Sequence, residues 1–285
     1  MPNNVRKLLG FSVGPALAFL FSLSALHAQT LRTVDFPGAI ATGASAINNS
    51  NIIVGGYRDA NRVVHGYALV NHRFKSFDVP NAKYTGPAGI NDKNQIVGMS
   101  IDDLEVTHGF LYRGGVFTTV DPPGSQLTVL ATINNAGQMV GGYYDANFNY
   151  HGFLFSNGKY TTYDVPNSEW TEFDSINSQG EIVGTYSDLQ DGVRAFTLIN
   201  DTFTQIDVPG AVETRAYGVN DAGDMVGSFI SGQEEFGYFL KNRTFRKISI
   251  AHSTDTVAEG VNNADFVVGV YTDAVGVAHG FVVVP

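Results

Sequence analysis

A phrase that returns six times at a fixed step, four strand signals inside each step, and no helical periodicity after residue 28 together predict an all-β fold. The architecture they predict is a six-bladed β-propeller of 43-residue, four-stranded repeats. The phrase is fullest over residues 218–227, Gly-Val-Asn-Asp-Ala-Gly-Asp-Met-Val-Gly. Its asparagine stands at Asn48, Asn91, Asn134, Asn177, Asn220 and Asn262, so the steps are 43, 43, 43, 43 and 42 residues.

In chain order, residues 1–28 carry an export signature: Arg6 and Lys7, an apolar run from Leu8 to Ala25, and small residues ending at Ala28. The expected organisation is a signal peptide over 1–28 and one propeller over 29–285, secreted or periplasmic in a bacterium. The chain has no cysteine, so an exported fold must be held by its core. Loss of Arg6 and Lys7 with the leader takes the formal charge from −10 to −12. Such a surface disfavours nucleic acid and anionic lipid as partners. No later stretch is long and apolar enough to span a bilayer, so no membrane insertion is expected after cleavage, and a monomer is expected.

The third period shows the blade. Strand A is expected over 127–133, B over 138–144, C over 151–155 and D over 160–165. The A–B turns hold Asn51, Asn94, Gly137, Gly180, Gly223 and Asp265 at their fourth position, residues that tolerate a left-handed backbone. Their leading asparagine is expected to bond its own turn. The C–D turns read as two-residue hairpins: Asn71-His72, Gly114-Gly115, Asn157-Gly158, Asn200-Asp201 and Asn242-Arg243.

Those hairpins set a register, because opposed residues carry numbers with the same sum as the two turn residues. His65 then faces Asp78, His108 faces Asp121, His151 faces Asp164 and Arg194 faces Asp207, while Phe236 faces Ser249. The recurring histidine is therefore half of a cross-strand pair before it is a catalytic group. On the B–C side, Gly55, Gly98, Gly141 and Gly184 fall opposite Tyr67, Phe110, Phe153 and Phe196, which expects each ring to cover a glycine.

The chain starts out of phase. Residues 31–35 carry the strand D signature, and the last period stops at strand C with His279-Gly280-Phe281. The N-terminal strand is expected to complete the last blade, setting Asp35 opposite His279 and removing a free sheet edge.

In such a ring strand A lines the channel, and the D–A and B–C loops share one face, the top. A threonine recurs in every D–A loop: Thr42, Thr85, Thr128, Thr171, Thr214 and Thr256. Sixfold recurrence argues for loop hydrogen bonds. Departures from symmetry are where a ligand would act. The candidate ligand-binding residues are Tyr84, Trp170, Glu213, Arg215, Tyr217 and Asp255; the candidate metal ligands are Glu172, Asp174 and Glu259, whose carboxylates would suit a calcium ion. No catalytic triad spacing, zinc motif or phosphate loop is present.

The repeated Gly-Ile/Val-Asn-Asp/Asn-Ala-Gly, the Val-Val-Gly or Met-Val-Gly that follows it, and Arg194-Ala195-Phe196 or His-Gly-Phe resemble the bacterial extracellular HAF repeat. The resemblance covers all six copies, with His-Gly-Phe/Tyr replacing the signature triplet in most. It implies an exported repeat protein and gives no catalytic residues to carry over. Apart from the candidate calcium ion, no cofactor is expected. Two functions are open: a binding or scaffold module whose top face recognises a glycan or protein, and a calcium-dependent hydrolase or lyase with an acidic site in the channel.

Overall fold

The computed structural model describes residues 20–21, 30–190 and 192–285. The expected leader lies outside them, apart from Leu20–Phe21, which runs parallel to Thr244–Phe245. Among the described residues no helix is long and apolar enough to cross a membrane. Six four-stranded antiparallel blades follow one another around a channel. The third is Leu127–Ile133, Met139–Tyr144, Tyr150–Ser156 and Lys159–Tyr163, close to the expected bounds. In the last blade Ser253–Val261, Val267–Asp273 and Ala278–Val284 are strands A to C, and Thr30–Val34 lies antiparallel on the third of these as strand D. The cores lie between neighbouring sheets, each built around a fully buried ring such as Tyr67, Phe110, Phe153, Phe196, Tyr238 or Phe281.

Turn chemistry sets the register as read from the sequence. Both residues of all five C–D hairpins have positive φ, including Asn157 at 53° and Gly158 at 75°. The fourth A–B turn positions do too, from 58° at Asn94 to 84° at Gly137. The paired glycines face their aromatics, but a nearer cause fixes them as glycine. Strand A bulges between Leu130 and Thr132, and a Cβ on Gly141 would stand 2.0 Å from the Val129 carbonyl oxygen. The same clash, at 1.9–2.1 Å, recurs at Gly55, Gly98, Gly184, Gly227 and Gly269.

The recurrent asparagine does more than bond its own turn. In the third blade Asn134 Oδ1 accepts from the backbone N–H of Ala136 and Gln138, while its Nδ2 donates to the Asn177 carbonyl of the next blade at 3.0 Å. The donation repeats from Asn48 to Asn91, Asn91 to Asn134, Asn177 to Asn220, Asn220 to Asn262, and Asn262 back to Asn48. Six buried amides thus close a ring at the A–B end of the channel. The threonines also act on the loops. Thr42, Thr85, Thr171, Thr214 and Thr256 each accept a backbone N–H from the preceding loop, at 2.9–3.3 Å. In the remaining blade Pro122 has no N–H to give, and Thr128 donates to Ser125 Oγ instead.

His151 bonds Asp164 at 2.8 Å, His108 bonds Asp121 at 2.7 Å, His65 reaches Asp78 at 3.0 Å, and His279 bonds Asp35 at 2.9 Å. Arg194 departs from expectation. Register places it opposite Asp207, yet its guanidinium turns to Asp188 at 3.5 Å and to the Val212 carbonyl at 3.3 Å. It meets the B–C loop at Asp188 and the D–A loop at Val212 instead.

Candidate functional site

Strand A alternates between residues buried in the blade and residues facing the channel, so successive channel positions are two apart. At the D–A mouth the six blades present Ala41, Tyr84, Leu127, Trp170, Glu213 and Asp255. The next level is Gly43, Gly86, Val129, Glu172, Arg215 and Val257, and the next Ser45, Ala88, Ala131, Asp174, Tyr217 and Glu259. The channel wall is therefore two-sided: the first three blades supply small or apolar groups at the two inner levels, the last three nearly all the ionisable ones. A cavity of about 490 Å³ occupies its lower half, bounded by Ala88, Ala131, Asp174, Tyr217, Glu235 and Glu259 and by the asparagine ring.

The polar wall is hydrogen-bonded within itself. Tyr150 Oη donates to Glu172 Oε1 at 2.9 Å, Thr185 Oγ1 donates to Asp174 Oδ2 at 3.2 Å, and Ser228 Oγ donates to Glu235 Oε1 at 2.6 Å. Arg215 pairs with Glu213 at 3.1 Å. Burial raises the Glu172 carboxyl above its ordinary range; burial and then the Glu172 charge push Asp174 further up. Burial raises Glu259 to about 7. Burial also raises the Tyr84 hydroxyl, and Tyr217 is raised by burial and by Asp174.

The predicted residues are thus distributed over one wall rather than gathered at one point. Tyr84, Trp170, Glu213 and Asp255 ring the mouth, and Arg215 and Tyr217 descend from it. Asp255 Oδ2 accepts from Thr254, and the Trp170 backbone carbonyl accepts from Ser187. The metal set does not assemble. Glu172 and Asp174 neighbour each other, whereas Glu259 bonds Ser45 and its charge helps raise the Tyr67 and Tyr84 hydroxyls. Among the described residues no three His, Asp or Glu side chains are placed to hold an ion. The cause is geometric: Glu259 projects from the sixth blade and the other two from the fourth, with Tyr217 of the fifth between them.

Sequence reasoning missed the second carboxylate beside each histidine. Asp59, Asp102, Asp145 and Asp273 lie 3.7, 3.6, 3.5 and 3.4 Å from the Nε2 of His65, His108, His151 and His279. Each also caps its B–C loop, as Asp145 Oδ1 does by accepting from Asn147 and Asn149. Their 43-residue recurrence was the available signal. The fifth blade has Ser231, Phe236 and Ser249 at the three positions, so the whole unit is absent there.

No protein-family profile and no curated protein sequence matches this chain. Solved structures do resemble it. It is similar to AofleA from Arthrobotrys oligospora, with a TM-score of 0.58 and 10% identity, covering 89% of this chain and 86% of that one. It is similar to an Aleuria aurantia lectin variant in complex with Fucα1-6GlcNAc, with a TM-score of 0.53 and 11% identity over 86% and 96% of the two chains. It also resembles the β-propeller domain of the Trilobed protease from Pyrococcus furiosus, with a TM-score of 0.50 and 11% identity over 85% and 95%. Likeness at such identity speaks to fold, and with the six blades described above it makes the chain a six-bladed β-propeller.

Proposed function

We propose that this chain is an exported, glycan-binding β-propeller that recognises its ligand on the D–A and B–C loop face. One observation carries the reading. Positions buried for structure keep one residue around the ring, as the six threonines and six asparagines do. The equivalent positions at the channel mouth instead diverge to Ala41, Tyr84, Leu127, Trp170, Glu213 and Asp255. A ligand without sixfold symmetry accounts for that divergence. Aromatic rings beside carboxylates and a guanidinium match a sugar, which offers an apolar C–H face and a rim of hydroxyls. The Aleuria aurantia lectin in complex with Fucα1-6GlcNAc supports the reading by analogy of fold. The leader-like residues 1–28 support export.

The test is a glycan array probed with residues 29–285, followed by calorimetric titration of the best ligand. Trp170→Ala and Arg215→Ala are expected to weaken binding at least about 10-fold, the loss of one good contact, with melting temperature preserved. A folded protein that binds no glycan on the array overturns the reading.

A further inference from the structure

The first and fourth blades are related by a shift of 129 residues, and their comparison exposes a gap. In the first blade the Phe36 ring, which leaves strand D of the last blade, lies flat on Tyr57 with centroids 3.7 Å apart and an interplanar angle of 0°. It meets Phe74 edge-on at 5.2 Å and approaches Tyr67 at 6.2 Å. The counterparts of these three partners are Tyr186, Phe203 and Phe196. The frame is kept, since Phe196 meets Phe203 edge-on at 5.1 Å as Tyr67 meets Phe74 at 5.2 Å. The counterpart of Phe36 is Val165. Among the described residues no ring stands where the phenyl would be, and Val165, Tyr186, Phe196 and Phe203 instead line a cavity of about 270 Å³.

A second replacement opens the same place. Tyr57, Tyr143 and Tyr271 each carry a histidine ring at 5.1–5.4 Å. Beside Tyr186 that histidine is Arg194, which has swung to Asp188 and Val212. One carboxylate oxygen of Asp207, the partner Arg194 abandons, is left buried with no protein hydrogen bond. Tyr186 has thus lost both rings that cover its counterpart in the first blade, while its hydroxyl stays fixed by Gln205 at 2.8 Å. The rim of the cavity is polar: Asn167 from the D–A loop, Asp188 and Gln190 from the B–C loop, and Gln205 from strand D. It belongs to the top face, on the loop that leads to Trp170.

We propose that this cavity between the third and fourth blades is a binding site for a single pyranose ring, seated where Phe36 sits in the first blade. The ring's C–H face would stack on Tyr186, and its hydroxyls would meet Gln205, Asn167, Gln190 and Asp188. The volume is below the range that encloses drug-sized ligands, which fits one ring and not a chain of them. Gln205 and Asp188 already bond Tyr186, Asp207 and the B–C loop. With Asn167 and Gln190 they still give the cavity a polar rim, which suits a hydroxylated occupant better than a purely apolar one. The proposal rests on the glycan-binding reading and adds to the channel mouth a pyranose subsite on the loop that leads to Trp170.

The protein supplies its own block. Val165→Phe places in the cavity the side chain that fills the equivalent space in the first blade, so folding should be kept and the melting temperature should stay level or rise. Methyl glycosides of fucose, galactose, glucose and mannose are titrated into wild-type residues 29–285 by calorimetry and by heteronuclear NMR. The expected result is one site per chain, lost at least about 10-fold in Val165→Phe. The reciprocal double variant Phe36→Val with His65→Arg, which removes both rings from Tyr57, is expected, in a chain still folded by circular dichroism, to raise the stoichiometry from one toward two. Array binding and glycoside binding that survive Val165→Phe unchanged overturn the pocket and leave the glycan reading standing. A wild type that binds no glycoside and no array glycan overturns both.

Discussion

The Asn262 side-chain amide donates to the backbone carbonyl of Asn48 across 214 residues of sequence, at 3.1 Å, and so completes a ring of six such bonds. Each asparagine in that ring satisfies two backbone N–H groups with its oxygen and one carbonyl with its nitrogen, all in a buried setting. Leaving such groups unpaired costs about 1–3 kcal/mol apiece before relaxation. Asn134→Ala should therefore destabilise the propeller by about 3 kcal/mol in urea unfolding. Asn135→Ala, on the exposed outer rank that bonds Asp92, should cost less than about 1 kcal/mol. Equal losses for the two would show that the inner ring is not what ties the blades together.

What could be read in advance was local. A two-residue turn such as Asn157-Gly158 fixes which residues oppose one another, so the neighbourhood of His151 and Asp164 followed by counting. What a side chain reaches beyond its own sheet does not follow from register. Asn134 was legible as a turn residue, but its donation to Asn177 depends on how closely two blades approach. Arg194 was placed correctly along the strand and wrongly in space, because rotamer choice among Asp188, Val212 and Asp207 is decided by loop geometry. For the same reason Glu172, Asp174 and Glu259 were recognised as channel residues without their separation being visible. The contrast of Phe36 with Val165 was present in the sequence, but its meaning required knowing which three rings surround that point.

The His–Asp units predict a pH profile. Hydrogen bonding to Asp121 raises His108, and hydrogen bonding to Asp164 raises His151; for His279 burial opposes the shift, and Asp35 and Asp273 outweigh it. A raised folded value means stability that is whole below about 6.5, the unfolded histidine value, and is lost as pH climbs through the folded one. Asp145 runs the other way: the Asn149 N–H holds it down at about 2, so its share is present above 3.8 and lost as pH falls toward 2. Melting temperature should therefore be highest between about pH 4 and 6.5. A triple variant with Asn at 108, 151 and 279 should lose stability at pH 6 and converge on the wild type near pH 8.5. A constant gap across that range would mean the histidines act through packing alone.

Glycines separate into two kinds, and Ala substitution should distinguish them. At Gly137 (φ 84°) a Cβ meets nothing within 4 Å, so the cost is backbone strain, about 1 kcal/mol. At Gly141 the Cβ would stand 2.0 Å from the Val129 oxygen, forcing the strand A bulge apart. Gly141→Ala should cost more than about 3 kcal/mol or prevent folding. Comparable urea midpoints for the two variants would contradict the steric assignment.

Closure of the ring by Thr30–Val34 gives a further test. That strand covers the edge of Ala278–Val284 and brings Asp35 to His279. Removing residues 30–35 exposes a row of unpaired backbone groups on a strand rich in valine. The shortened protein should unfold at lower urea than the 29–285 chain and should self-associate in sedimentation. A monomer of undiminished stability would show that the N-terminal strand is dispensable to the sixth blade.

Glu259 combines channel chemistry with stability in one measurable residue. Its carboxyl is neutral in acid and must ionise inside the channel as pH passes about 7, because burial disfavours the charge. A carboxyl raised in the folded state contributes stability that is complete below its ordinary 4.5 and is lost as pH rises through about 7. Glu259→Gln keeps the shape and removes the ionisation. It should leave unfolding free energy unchanged at pH 4.5 and raise it by about 2 kcal/mol at pH 8, a shift of this size discounted for water in the open channel. The measurement is paired urea titrations at the two pH values. If the variant is destabilised at both, the carboxylate is instead satisfied in its charged form by partners beyond the Ser45 hydroxyl.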